Sequence, residues 1–189
     1  MSAVPILAGV GVLMVCSSSL AAAMMMGGQE ETPTPTPTGP AAPVIKKYRY
    51  VRVGRINPDN SDHWMNLAEV EVFSGGVNVA SGKTVTASSL FDGQHPHANL
   101  VDGNKENLAH THNTETEYFD IDLGQAYEIE KVVITNRVDC CQSRARNTII
   151  QLSESADMTS SKDSRAITTA EGSSATFTWD VASDTLTAA

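Results

Sequence analysis

Charge is missing from residues 2 to 29, and aromatic rings are missing before Tyr48. A core needs large apolar side chains and a soluble face needs charge, so the globular part of this 189-residue chain lies downstream of both gaps. Cysteine is scarce: Cys16 sits in the uncharged stretch and Cys140 and Cys141 are adjacent, too few for a disulfide scaffold. A basic excess is missing as well. The net charge is −9, with all 13 Lys and Arg at or after Lys46, which excludes nucleic acid or an anionic lipid surface as a bulk partner. No stretch after Lys46 has helical periodicity. There is no Gly-x-Ser-x-Gly and no phosphate-binding loop, and Glu115 and Glu117 flank a loop and read as solvated rather than as a catalytic pair. An enzyme is therefore not expected.

What is present divides the chain into parts. Residues 1–26 are almost wholly apolar or small, and at ~1.5 Å per residue such a run spans a ~30 Å hydrocarbon core. No Lys or Arg precedes it, which favours an uncleaved membrane anchor; a signal peptide cleaved near Leu20-Ala21-Ala22-Ala23 and a buried hydrophobic tail are the alternatives. Residues 27–45 repeat Thr-Pro from Thr32 to Thr38 and read as an extended spacer of roughly 50 Å at ~3 Å per residue. Residues 46–182 read as one domain and 183–189 as a tail.

Within the domain, strands are expected at Tyr48–Arg55, Leu67–Phe73, Tyr118–Leu123, Val132–Thr135, Ile149–Leu152 and Ala175–Trp179. In Tyr118–Leu123 the alternation puts Phe119, Ile121 and Leu123 on one face and Asp120 and Asp122 on the other. Many short strands without long helices indicate an all-β sandwich or barrel.

The most unusual stretch is Lys131–Arg146, where a strand-like run leads into two arginines bracketing Cys140-Cys141. Adjacent cysteines stay reduced in most intracellular settings; in an oxidising environment or on a cell or virion surface they close into an eight-membered ring with an exposed sulfur face. Arg137 and Arg144 place a rigid donor fork on either side, suited to hydroxyls or an anion. Asn136-Arg137, Asp139-Cys140-Cys141 and Arg144 together resemble the signature of the F-type lectins (fucolectins), a branch of the discoidin-like, galactose-binding-like jelly rolls.

The resemblance implies a jelly-roll β-sandwich over about Tyr48 to Trp179 that binds fucose-type sugars. It implies sugar contacts from His110, Arg137 and Arg144, with the Cys140–Cys141 ring against the sugar's carbons. His112 is the fallback for His110, Arg146 competes with Arg144, and Phe91 or His95 would touch the sugar's methyl group. Asn99-Leu100-Val101-Asp102-Gly103-Asn104 resembles the family's calcium loop. By that likeness Asn99, Asp102 and Asn104 hold Ca2+ with the Ala68 carbonyl and the Glu69 carboxylate, and Asn107 is a candidate for one more ligand; a hard cation of this kind takes six to eight oxygens. In the family a strand like Leu67–Val72 closes the domain, whereas here it precedes the rest, which implies a circular permutation; the alternative is that Tyr48–Phe73 belongs to a truncated preceding repeat. The expected function is a membrane-anchored, calcium-stabilised module for fucosylated or related glycans, facing outward from a cell or virion. The alternative is a structural capsid or envelope protein, because the architecture also looks like surface proteins of large DNA viruses of algae and protists.

Overall fold

The computed structural model describes residues 46–55, 63–114, 116–168, 172 and 174–189. The apolar segment and the Thr-Pro spacer lie outside the described residues, as does Glu115. Among the described residues no helix is long and apolar enough to cross a membrane.

The described residues form eleven strands: β1 (Tyr48–Arg55), β2 (Asn66–Ser74), β3 (Val77–Asn78), β4 (Thr84–Ala87), β5 (Ala109–His110), β6 (Tyr118–Tyr127), β7 (Lys131–Asn136), β8 (Thr148–Ser153), β9 (Ser161–Ile167), β10 (Thr176–Asp180) and β11 (Thr185–Ala188). One antiparallel sheet has the order β4-β6-β1-β8-β9 and the other β11-β10-β7-β2-β3, with β5 added on β2. This two-sheet, all-β arrangement is the one expected of a β-sandwich. Its helical content among the described residues is two 3-10 turns, His97–Val101 and Gln142–Ala145.

Alternation decides which faces meet. Phe119, Ile121 and Leu123 are fully buried with Val51, Val53, Ile150 and Leu152, against Val70, Val72, Val132, Ile134, Phe177 and Trp179 of the other sheet. On the outer face Asp120 accepts two hydrogen bonds from Arg52 at 2.6 and 2.7 Å, and Asp122 two from Arg49 at 2.7 and 2.8 Å. Cross-strand pairs of this kind follow from the β1–β6 register, which sets Arg52 opposite Asp120.

Three features depart from the sequence-based expectations. Strand β11 lies within the stretch taken as a tail and pairs with β10 at Thr178–Thr187. Strand β9 was not foreseen, because Ser161–Ile167 has no apolar alternation; it needs only one partner, β8, at the sheet edge. Glu117 is fully buried rather than solvated: its carboxylate accepts from the hydroxyls of Ser88 (2.5 Å) and Ser89 (2.7 Å) and from Thr114 Oγ1 (2.5 Å). Burial pushes that carboxyl up, but these hydrogen bonds outweigh it and hold the pKa below its ordinary value.

Strand β2 is interrupted by a bulge. Leu67 sits opposite Asn136 and Glu69 opposite Thr135, so Ala68 is an extra residue on this strand. Leu67 and Val70 point into the core, and the two residues between them are turned toward the loops at one end of the sandwich.

The two faces of β6 make a direct comparison. Phe119→Ala should cost about 3–5 kcal/mol of unfolding free energy, as loss of a fully buried ring does. Asp122→Ala should cost less than about 1 kcal/mol, because its partner Arg49 is 41% exposed. Urea unfolding reads both, and equal losses would contradict the assignment of faces.

Candidate functional site

Asn136, fully buried at the end of β7, straps the loop that comes after it. Its Nδ2 donates to the carbonyls of Gln142 (2.9 Å) and Ser174 (3.1 Å), and its Oδ1 accepts from the Arg137 amide (2.9 Å). Gln142 Nε2 also donates to the Val138 carbonyl at 3.1 Å. Arg137 therefore leaves a fixed point. Its side chain is 10% exposed, and Nε and Nη2 fork onto Asp139 at 2.8 and 2.7 Å. The guanidinium holds the Asp139 carboxyl well below the usual carboxylate range. Nη1 is the nitrogen of Arg137 with no protein partner among the described residues.

Cys140 and Cys141 are joined as a vicinal disulfide. Cys141 adopts a left-handed φ of 59° and opens the 3-10 turn, in which the Arg144 amide donates to the Cys141 carbonyl at 3.0 Å. The pair thus sets where Arg144 re-emerges. The Arg144 guanidinium lies 5.6 Å from the centre of the Trp64 ring, a cation–π distance. Arg146, its competitor, instead turns Nε back to the Ser143 carbonyl at 3.0 Å.

His110 comes from β5 and is 6% exposed. Its Nδ1 lies 2.6 Å from the Thr111 carbonyl, so Nδ1 carries the proton and donates it there. Nε2 is then an acceptor, and the imidazole has one polar function left for a ligand. Burial lowers its pKa below 6.5; the hydrogen bond to Thr111 opposes this, and the positive charges of Arg137 and Arg144 add to the lowering. Around it stand Phe91 at 4.5 Å, Trp64 at 5.2 Å and His95 at 6.0 Å between ring centres. His112 is exposed; its ring lies 6.1 Å from Phe91, and its amide donates to Ser89 Oγ.

The acidic loop gathers beside this cluster. Glu69 is 1% exposed and both its oxygens accept from the Gly103 amide at 3.2 Å. Burial pushes its pKa up to about 7, with the Asp102 charge adding to the rise. Asp102 accepts from the Asn104 amide and from Asn107 Nδ2, both at 2.8 Å. Asn107 Oδ1 is buried with no partner among the described residues. Asn99 Nδ2 donates to the Leu108 carbonyl and Asn104 Oδ1 accepts from the Glu106 amide, so the Asn104 side-chain oxygen is engaged within the chain. Among the described residues no cluster of three or more His, Cys, Asp or Glu side chains forms a metal site. The donor set is one of carboxylates, carboxamides and carbonyls around a raised Glu69 and an orphaned Asn107 oxygen, which fits a hard cation such as Ca2+.

Between the two groups lies a cavity of about 300 Å³ lined by Ala68, His95, Asn107, Arg137, Val138 and Asp139, among others. That is the lower end of the ligand-pocket range. The arrangement brings together His110, Arg137, Arg144, Phe91 and His95, and leaves His112 and Arg146 aside. Trp64 and the clamping role of Asp139 were not foreseen. Trp64 is one of two tryptophans and stands three residues before the expected strand, the one signal that would have marked it.

His110 should titrate with a midpoint below 6.5 and as the Nδ1–H tautomer, read by imidazole nitrogen NMR. Because its folded pKa is lowered, its contribution to stability is full above about pH 6.5 and is lost as pH falls through the folded value, where the unfolded chain binds the proton first. A midpoint at or above 6.5 would contradict this.

Residues 99–186 match the family described as "NedA-like, galactose-binding domain". Over 76 residues the chain is 42% identical to Fucolectin-4 of Anguilla japonica, covering 35% of this chain and 42% of that protein. It therefore spans less than half the length of the curated relative it matches. No solved structure matches. The matched span 99–186 holds Asn99, His110, both arginines and the cysteine pair, while Trp64, Asn66, Ala68 and Glu69 precede it. Residues 99–186 are thus similar to a galactose-binding domain, and neither description names a reaction.

Proposed function

We propose that the domain is a calcium-stabilised carbohydrate-binding module for fucose-type sugars. The observation that carries this is the convergence of Arg137, Arg144 and His110 from different segments, each held by a protein partner: Asp139, Trp64 and the Thr111 carbonyl. Arginines only donate, and His110 Nε2 only accepts. A sugar ring offers oxygens to the first and a hydroxyl hydrogen to the second, while the disulfide and Phe91, 39% exposed, offer apolar contact to ring carbons and a methyl group. The match to galactose-binding domains and the likeness to a fucolectin support the same substrate class.

Calcium, in this reading, is held by Glu69, Asp102 and Asn107 side chains with carbonyls of Ala68, Asn99 and Asn104. When bound, it neutralises the buried Glu69 and fixes the loop between Asp102 and His110. Strand β2, ahead of the matched span, is the family's closing strand moved to the front by circular permutation. The apolar segment and Thr-Pro spacer tether the module to a membrane, on a cell or virion surface, where many copies multiply a weak single-site affinity by about 10²–10⁴.

Calorimetric titration with L-fucose should show saturable binding to the full chain. Arg137→Ala should weaken it about 10–100-fold, the loss expected for hydrogen bonds from a charged donor. Calcium at about 100 times its Kd should raise unfolding free energy by about 2.7 kcal/mol, and Glu69→Gln should remove most of that gain. A folded, calcium-loaded chain that binds no sugar would overturn the assignment and turn the search to protein partners.

A further inference from the structure

Strand β2 presents a second polar group at this site. Asn66 is directly opposite His110 in the β2–β5 register, and their neighbours Leu67 and Ala109, also opposite each other, both lie in the core. Asn66 and His110 therefore share the face that points away from the core. Met65, in the core, precedes Asn66, so Trp64 lies on that outer face too, with its ring 5.2 Å from His110. Asn66 thus occupies the position between Trp64 along the strand and His110 across it. It is 3% exposed, and among the described residues neither Oδ1 nor Nδ2 has a hydrogen-bond partner.

A buried carboxamide with both ends unmade is unfavourable and rare in a folded chain, and here it stands directly across the strand pair from His110. The chemistry of the neighbouring groups says what it would do. Arg137 and Arg144 supply donors to sugar oxygens, but each hydroxyl also has a hydrogen to place. His110 Nε2 accepts one. The Asp139 oxygens are engaged by Arg137. Asn66 Oδ1 is a second acceptor in a site otherwise rich in donors, and Nδ2 can return a hydrogen bond to the same or the next hydroxyl.

Resting on the carbohydrate-binding reading of this site, we propose that Asn66 is a sugar-reading residue, accepting from a ring hydroxyl beside the one His110 takes, directly or through one ordered water. The amide atoms are closed off from solvent in the free chain, so binding shifts the Asn66 side chain or an adjacent ring. The amide gains hydrogen bonds by that shift, which biases the rearranged state toward the ligand.

The test compares wild type, Asn66→Leu and Arg137→Ala in the full chain, by thermal unfolding and by calorimetric titration with L-fucose and its monodeoxy analogues. Leucine has the branching and heavy-atom count of asparagine and leaves no polar atom unpaired, so Asn66→Leu should unfold at the wild-type temperature or above it. Its L-fucose affinity should fall about tenfold, the loss of one well-made hydrogen bond. One monodeoxy analogue should bind wild type more weakly than L-fucose does, yet bind Asn66→Leu as L-fucose does. Wild-type affinity in Asn66→Leu, alongside loss in Arg137→Ala, overturns the role of Asn66 and leaves the site standing. A marked drop in unfolding temperature overturns it too, since the amide would then have a structural partner. No L-fucose binding by wild type overturns the site and this inference together.

Discussion

The antiparallel pairing of β2 with both β5 and β7 is the constraint on which the rest depends. It joins residues 66 and 67 to 110 and 109 on one side and residues 67–73 to 136–131 on the other. Those three segments are far apart in sequence, and each brings one part of the site: Trp64, Asn66, Ala68 and Glu69 from the first, His110 from the second, and the arginine loop from the third. The bulge at Ala68 lets one strand serve two purposes. Before it, the outward face meets the aromatic cluster; at it, Ala68 and Glu69 turn to the acidic loop.

Rigidity in the arginine loop comes from short-range polar contacts rather than from packing. Asn136 ties both ends, Asp139 fixes the Arg137 fork, and the cysteine pair starts the turn that returns Arg144. Each contact removes a rotamer choice before any ligand arrives, so less order has to be gained on binding. The buried, neutral His110 beside two arginines is the complement of this: desolvation and like charge keep its acceptor lone pair open at neutral pH.

Much of this was legible in the sequence where alternation or residue chemistry spoke locally. Phe119, Ile121 and Leu123 announced β6, and Arg137, the cysteines and Arg144 announced their loop through their own order. What stayed hidden depends on partners far along the chain. Edge strands β9 and β11 form because β8 and β10 offer unpaired backbone, and Ser161–Ile167 and Thr185–Ala188 need no apolar pattern to accept it. Glu117 looked like a solvated loop carboxylate because Ser88 and Ser89, which desolvate and bind it, come almost thirty residues earlier. A local contact was also out of reach of residue order: the carbonyl of the next residue, Thr111, takes the His110 donor. Trp64 and Asn66 gained meaning only once β2 was set against β5.

The central claim is that His110 Nε2 and the two arginine side chains meet one ligand at one place. Nitrogen NMR of the side chains during titration with L-fucose tests it directly. The account predicts that the His110 Nε2 resonance and the Arg137 and Arg144 Nε–H resonances shift together along a single saturation curve, with Arg49 and Arg52 on the outer sheet face unmoved. Shifts of the arginines without His110, or shifts spread over the outer face, would contradict it.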